Sequence, residues 1–524
     1  MSSSSKSFDL NKVTGHVYAL GNVKIAGELG AGNIVDITYP VPIPALISTL
    51  IKETATSSFH SLALDNNGKI WSWGKNEFGA IGRFGDPIIP AIISHVSLMY
   101  TKFKKVACGN TFSMAISSKG LLHTWGTFIS SENAIIGYLP TREKQEHPRI
   151  VHSLAKLNII DIAAGASHCL ALTDTGTVYS WGCGDQSQLG RPTKNQEEGL
   201  LPKPITCLKD IVSISCGTNH SFAINQKGHV YAWGLNQYQQ CGLVEKEEGE
   251  GVLGDPMVDV PALVPYFNDA SVRVQSIAAG EAHSIALLKN NKLVVFGRCD
   301  MGQLGIPIYN NNTYYGSMKF AKTNQIYVIG YPIENLWRCE RNIIKVVCGT
   351  NHTLILTDQG FTYGFGDSSH CQLGAHNRET LFLPTPLSHE LPQIIHASAG
   401  DQSSLFLPSS STKNNGYVFE QQNDVRLNDL SSKISAIKNI TIDIHQDVTD
   451  QDRLLDESHN QFSGLGSTLS NSFGRMNRMV SKRHQRQLCF YVSILVFVFF
   501  LLYYGAPLAK GALGSSPKSD SDAL

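Results

Sequence analysis

A short text recurs along the first four hundred residues, and a chain that repeats itself at this period has few folds open to it. Its clearest copy is Ile162-Ala-Ala-Gly165-Ala-Ser-His168-Cys-Leu-Ala-Leu172-Thr-Asp-Thr-Gly176-Thr-Val-Tyr-Ser-Trp181-Gly182, closing in Gln188-Leu-Gly190. The same text returns from Gly217 and His220 to Trp233-Gly234, from Gly280 and His283 to Phe296-Gly297, and from Gly349 and His352 to Phe365-Gly366. Rougher copies end at Trp73-Gly74 and Trp125-Gly126. Each copy holds two short runs of alternating apolar and polar residues, split by a turn such as Asp174-Thr-Gly176 or Gln226-Lys-Gly228. Alternation at period two buries one face, and such turns fold two runs into an antiparallel pair. Successive aromatic–glycine marks fall 52, 56, 52, 63 and 69 residues apart. Repeats of about this length predict propeller blades.

The two ends of the repeat region complete each other. Gly15-His-Val-Tyr-Ala-Leu-Gly21 with Gly27-Glu-Leu-Gly30 is only the second half of a copy. His396-Ala-Ser-Ala-Gly400 with Leu405-Phe-Leu407 is only the first half. Six full copies and this composite predict an all-β propeller of seven blades over residues 1–408. A ring closed in this way leaves no exposed edge strand.

The motif Gly-x-x-His, Asp-x-Gly-x-Val-Tyr-x-Trp-Gly and Gln-Leu-Gly resembles the regulator of chromosome condensation repeat. The resemblance covers some 400 residues and is specific for the fold. It says less about function. The family includes a guanine-nucleotide exchange factor for the small GTPase Ran, and many other members are protein-binding platforms. No residue here matches an exchange wedge. Net charge is zero, and there is no basic tail, so no nucleic-acid partner is expected.

His60, His168, His220, His283 and His352 recur at one repeat position. One histidine per blade implies a structural hydrogen bond in each blade rather than a converging metal or catalytic site. Cys108, Cys216 and Cys348 read as small core residues. Gly165, Gly217, Gly280 and Gly349 read as sites of unusual backbone angles or close strand approach. Gly249-Glu-Gly251-Val-Leu-Gly254 has the letters of a dinucleotide fingerprint, but it lies in an acidic stretch and runs into Asp255-Pro256. No helix can start there to receive a pyrophosphate, so it reads as a loop. No phosphate loop, His-Glu-x-x-His or Gly-x-Ser-x-Gly is present. The expectation is no catalytic residue, no metal, no cofactor and no enzyme activity. The segment Ile306–Lys345 is longer than its equivalents. Its Tyr314, Tyr315, Trp337 and Arg338 make it a candidate partner-binding loop, because aromatic and Arg residues suit binding hot spots. Packing of the insertion on its own blade is the equal alternative.

A polar linker is expected over residues 409–420. Beyond it, apolar residues step by three and four: Leu427, Leu430, Ile434, Ile437, Ile444, Val448, Leu455, Phe462, Leu465, Leu469, Met476 and Met479. Thr441, Gln451, Ser458 and Ser472 complete the pattern. A period of 3.5 winds a helix left-handed around partner helices. Gln451 stands near the middle of the seam, where an amide needs hydrogen bonds from neighbouring helices and thereby sets register. Next comes Leu488-Cys-Phe-Tyr-Val-Ser-Ile-Leu-Val-Phe-Val-Phe-Phe-Leu-Leu-Tyr-Tyr504, which carries no charge, and Gly505–Ala509 can extend it. A bilayer core needs about 20 apolar residues in a helix. The expectation is therefore a coiled-coil segment over 421–482, a single transmembrane helix over 488–509 and a short lumenal tail over 510–524. Arg475, Arg478, Lys482, Arg483 and Arg486 precede the apolar stretch. The positive-inside rule then places residues 1–487 in the cytosol. With no signal peptide at Met1, a tail anchor is expected. Eleven cysteines without a CxxC pair read as free thiols. Cys489 reads as an apolar residue or as a site of reversible acylation.

Asn428-Asp-Leu-Ser-Ser-Lys-Ile434, Ile437-Lys-Asn-Ile-Thr-Ile-Asp-Ile444 and Val448-Thr-Asp-Gln-Asp-Arg-Leu-Leu-Asp456 resemble a Qc-type SNARE motif of the "blocked early in transport" group. Phe462, Gly464-Leu-Gly466 and Ser472-Phe-Gly474-Arg-Met476 follow the same group. Ser458 departs from it, since a larger apolar residue is usual there. The resemblance implies that Gln451 is the ionic-layer glutamine of a four-helix bundle and that the twelve apolar seam residues form its hydrophobic layers. It also implies Qa-, Qb- and R-SNARE helices as partners, membrane fusion as the outcome, and an ER or Golgi membrane as the location. The rival expectation is a membrane-anchored guanine-nucleotide exchange factor or scaffold for a small GTPase, acting through the propeller; a third combines the two, with the propeller recruiting a GTPase or tether that times bundle assembly.

Overall fold

Each alternating pair becomes the middle of an antiparallel sheet. In the fourth repeat the strands are Ile211–Cys216, His220–Asn225, Val230–Leu235 and Met257–Leu263, hydrogen-bonded in that order. His220 pairs with Gly234 and Ser221 with Trp233 across the central two. The computed structural model describes residues 16–409 apart from 23–28, 32–35, 131–133, 141–142, 245–253, 307–320, 324–325, 336, 375–377 and 388–392, and helical residues 466, 468–472, 474–475 and 487–500. Seven such sheets are present: blade 1 over 51–92, blade 2 over 103–150, blade 3 over 159–204, blade 4 over 211–263, blade 5 over 274–334, blade 6 over 343–386, and blade 7 from 394–408 with 18–42. The fold is a seven-bladed β-propeller.

Blade 7 closes the ring as expected. Tyr18 pairs with Phe406 and Gly21 with Ser403, so the strand Tyr18–Asn22 lies beside Ser403–Pro408. The first strand of each blade lies against the first strands of both neighbours around the axis. The second strand is buried along its whole length in every blade. There it is sandwiched between sheets, which is why its residues read as nearly continuous apolar runs. Apolar clusters fill all seven blade interfaces. Residues 1–419 therefore carry a complete fold: all seven interfaces and both halves of the closing blade lie within them.

The Gln-Leu-Gly and aromatic–Gly marks meet at those interfaces. Gly190 has φ +62°, and a Cβ there would lie 2.7 Å from the Trp233 ring of the next blade. The Trp233 indole N–H donates to the Gln188 carbonyl at 3.0 Å. Trp125 does the same to Ala80 at 2.7 Å. The glycine supplies both the left-handed turn and the space for the anchor.

Two additions lie outside the repeat: a hairpin of Phe128–Ile129 with Ile135–Gly137, and a fifth strand Ala321–Thr323 on blade 5. Residues 420–524 form a separate unit. Its described residues are helical over 466–475, with 467 and 473 outside the description, and over 487–500. Among the described residues there is no long coiled-coil helix, and no helix is long and apolar enough to cross a membrane. Residues 501–509 of the expected span lie outside the described ones, as does most of 421–482.

Candidate functional site

The five repeated histidines are fully buried and their Nε2 atoms join one blade to the next, while His60 Nδ1 also meets Ser57 Oγ of its own blade at 3.2 Å. His60 Nε2 meets Ser113 Oγ at 2.6 Å, His168 meets Ser221 at 2.8 Å, and His220 meets Ser284 at 2.9 Å. His283 meets Thr353 at 3.1 Å and His352 meets Ser404 at 3.0 Å. Ser113, Ser284 and Thr353 donate their own hydrogen to the carbonyls of Ala80, Gln240 and Gln303. The imidazoles of His60, His220 and His283 must then donate from Nε2, which fixes their neutral tautomer. Nδ1 of His168, His220, His283 and His352 has no hydrogen-bond partner. Burial pushes the imidazoles down, to about 3 at His168, His220 and His283 and to about 4 at His60 and His352.

Gly165, Gly217, Gly280 and Gly349 make room for these rings. A Cβ on Gly217 would lie 2.3 Å from His220 Cε1 and 2.4 Å from the Gly280 carbonyl oxygen. Close approach, not an unusual φ, is the reason for glycine there. Blade 2 has Phe112 in place of histidine, and the hydroxyl it would reach in blade 3 is replaced by Cys169. That interface is apolar on both sides.

The ring of glycine turns opens on one face into an axial cavity of about 280 Å³, lined by all seven blades. Hydroxyl and amide side chains (Ser57, Asn110, Thr218, Thr350) mix there with Glu281 and Asp401. Burial raises the Glu281 carboxyl; Arg298 opposes the rise, and Asp401 adds a smaller push upward. Cys216 and Cys348 also line the cavity, and burial pushes both thiols up to about 12, so neither is a nucleophile near neutral pH. Deeper in the channel, the third residues of the first strands form a charged belt. Lys105 pairs with Asp161, and Lys345 Nζ donates to His396 Nε2 at 2.9 Å. Glu53 lies between Lys105 and Lys345, and its carboxyl is raised by burial against the pull of both. Burial lowers Lys345 to about 8. Two lysines thus face two carboxylates in this belt. Among the described residues no cluster of histidine, cysteine or carboxylate side chains is placed to hold a metal.

Of the candidate loop, Tyr314 and Tyr315 lie outside the described residues. Trp337 packs into the cluster between blades 5 and 6, edge-on to Tyr363 at 5.0 Å between centroids. Arg338 is exposed and pairs with Glu334 at 2.8 Å. Gln451 lies outside the described residues, as do Leu427, Leu430, Ile434, Ile437, Ile444, Val448, Leu455, Phe462, Leu465, Met476 and Met479. Leu469 is described, helical and 61% exposed. In the helix over 487–500 the large apolar side chains are exposed around the whole circumference, and Ser493 Oγ donates back to the Cys489 carbonyl at 2.8 Å. The sequence reading missed the serine and threonine acceptors of the histidines. The paired change at Phe112 and Cys169 was the signal that could have found them.

The family model described as RCC1-like domain matches residues 16–406, three quarters of the chain. The chain belongs to that family. A second model, the Sft1/BET1 SNARE domain, matches residues 422–484, so an RCC1-like propeller and a SNARE domain share one polypeptide. Neither is a catalytic family. Protein pim1 of Schizosaccharomyces pombe is 33% identical over 440 residues, covering 79% of this chain and 78% of its own. Guanine nucleotide exchange factor SRM1 of Saccharomyces cerevisiae is 31% identical, covering 67% and 77%. The solved structure of Prp20p from Saccharomyces cerevisiae, studied with its binding to Gsp1p and histones, superimposes with a TM-score of 0.69 at 28% identity, covering 79% of this chain and 96% of that one.

Proposed function

We propose that this protein is a membrane-anchored Q-SNARE that assembles with Qa-, Qb- and R-SNARE helices to drive fusion in ER–Golgi or intra-Golgi transport, its propeller serving as a protein-binding platform. The observation that carries this reading is the SNARE domain match at 422–484, directly followed by a helix apolar on every side from residue 488. A helix apolar all round needs an apolar surrounding, and the back-bonded Ser493 hydroxyl suits a medium that offers it no water. The seam from Leu427 to Met479 measures roughly 80 Å as continuous helix. Burial of that seam against three partner helices supplies the free energy, and the join over 480–487 passes tension to the anchor. Gln451 sits in the polar central layer with two further glutamines and an arginine from the partners. Residues 1–487 then face the cytosol. No bond is broken by this chain.

The test is to mix residues 420–487 with cognate Qa, Qb and R helices. The expected result is a large gain in helical circular dichroism and a stable four-chain complex. Gln451→Ala is expected to destabilise that complex by about 1–3 kcal/mol, because partner groups are left unpaired in a buried layer. A segment that stays monomeric and unfolded beside those helices sinks the reading.

A second reading is favoured by the relatives: SRM1 is named a guanine nucleotide exchange factor, and Prp20p was studied for binding to Gsp1p. On that reading the propeller binds a small GTPase and accelerates release of its nucleotide, while the C-terminal part holds it at a membrane. Purified residues 1–419 mixed with a small GTPase carrying a fluorescent nucleotide decide it. Faster release supports exchange, and binding without faster release supports the platform.

A further inference from the structure

The inner turns on the two faces of the propeller are chemically unlike, although the connections between third and fourth strands on the first face also carry Lys75, Lys144 and Lys194. On one, the seven turns between first and second strands carry no lysine or arginine, and hold Glu281 and Asp401. On the other, the turns between second and third strands carry Lys69, Lys119, Lys227, Lys289 and Lys292, of which Lys292 pairs with Glu334 at 3.0 Å. The exposed acids in those same turns are Asp174 and Asp358, which accept hydrogen bonds from Asn158 and Asn342, and the connections between blades on this face add exposed Asp210, Asp269 and Glu340. The first strands begin at this second face, as the bonds from Phe103 N to Gly68 O and from Ile394 N to Gly360 O show.

One feature of the basic face is apolar. The turn leading from blade 1 to blade 2 leaves Val96 83%, Met99 58% and Tyr100 94% exposed. The turn is built rather than loose. His95 caps it by accepting from Ser97 N, Leu98 plugs it into the core, and Lys69 Nζ donates to the Met99 carbonyl at 3.0 Å. Exposed Lys102 and Lys104 follow immediately. The chain also leaves the propeller at this face. Ser403–Pro408 runs from the acidic face to the basic one, and Ser409 N bonds to Gln393 O beside the start of blade 7.

We propose that this basic face, led by the Val96–Tyr100 turn, docks on an anionic bilayer surface. The inference rests on the anchored reading above, which brings the propeller near a membrane. Tyrosine and methionine suit the interfacial layer, and lysines around them are drawn to anionic headgroups and screened by salt. The tether raises the effective concentration of the surface, so weak contacts suffice.

The test uses residues 1–419, which hold the complete propeller, sedimented with vesicles of phosphatidylcholine alone or with about 30% phosphatidylserine. The expected result is binding to the anionic vesicles only, falling about tenfold between about 50 and about 300 mM salt. The combined variant Tyr100→Asp, Lys102→Glu, Lys104→Glu is expected to lose about tenfold or more. Glu77→Lys, beyond the third strand of blade 1 on the acidic side, is expected to leave vesicle binding unreduced, and both variants are checked for wild-type circular dichroism. Equal binding to both vesicle types, no effect of the triple variant, or binding only to a 421–482 peptide or to duplex DNA overturns the proposal. The fragment lacks residues 488–509, so these outcomes leave the anchored reading standing. Carbonate extraction of the full chain tests that reading separately.

Discussion

Lowering the pH from 7 to 5 is expected to strip the propeller of most of its stability, seen as a steep fall in melting temperature by circular dichroism. The cause is the belt of five inter-blade histidines, whose folded pKa values lie near 3 to 4, against about 6.5 in the unfolded chain. Between those values the unfolded chain binds more protons than the folded one, so stability rises with pH and is lost as pH falls. The loss starts near pH 6.5 and is complete only below about 3. At pH 5 each histidine accounts for about 2 kcal/mol, and five together approach about 10 kcal/mol as an upper limit. Domains of this kind are stable by about 5–15 kcal/mol. The raised carboxyls of Glu53 and Glu281 work in the opposite direction, but they matter mainly nearer carboxylate pKa values. The protein contains its own control, the Phe112 and Cys169 interface. His220→Phe with Ser284→Cys copies it into the interface between blades 4 and 5. The double variant is expected to flatten the pH dependence by about 2 kcal/mol at pH 5, whatever it does to stability at pH 7. A melting temperature unchanged between pH 7 and 5 contradicts the closed, neutral belt.

The blades were legible because their information is local. Alternation, the Asp174-Thr-Gly176 turn and the Trp181-Gly182 mark lie within one hairpin, and the split repeat at the termini forces ring closure by counting. What was not legible is what crosses between repeats. His220 and Ser284 are partners across 64 residues, and nothing in the buried run of either strand announces the other. The same holds for the axial belt, where Glu53, Lys105 and Lys345 come from three blades and meet only because each is the third residue of a first strand. The short hairpin at Phe128–Ile129 and the edge strand Ala321–Thr323 escaped because two or three residues show no period. In Ile306–Lys345 the aromatic composition left packing and display equal. Trp337 packs against Tyr363, which composition alone does not reveal. Gln451 and most of the seam stand on pattern and on the SNARE domain match.

Deleting residues 488–509 is expected to move the protein completely from the membrane pellet to the supernatant after alkaline carbonate extraction. The uncharged run Leu488–Tyr504 holds twelve Leu, Ile, Val and Phe residues. On the insertion scale these favour the bilayer by about 4–7 kcal/mol together, a partition ratio of roughly a thousandfold or more. An arginine in place of Leu495 opposes this by about 2.5–3.5 kcal/mol, so Leu495→Arg is expected to give partial extraction, between the full chain and the deletion. The deletion also separates the two functional readings. Helix assembly through 420–487 does not need the anchor, but tension on a bilayer does. The deleted chain is therefore expected to form the four-helix complex and to fail in liposome fusion. Nucleotide release by the propeller, where present, needs neither and is expected to continue unchanged. An intact chain found in the carbonate supernatant removes the anchor, and with it the case for fusion, while leaving the exchange reading and the seven-bladed ring as they are.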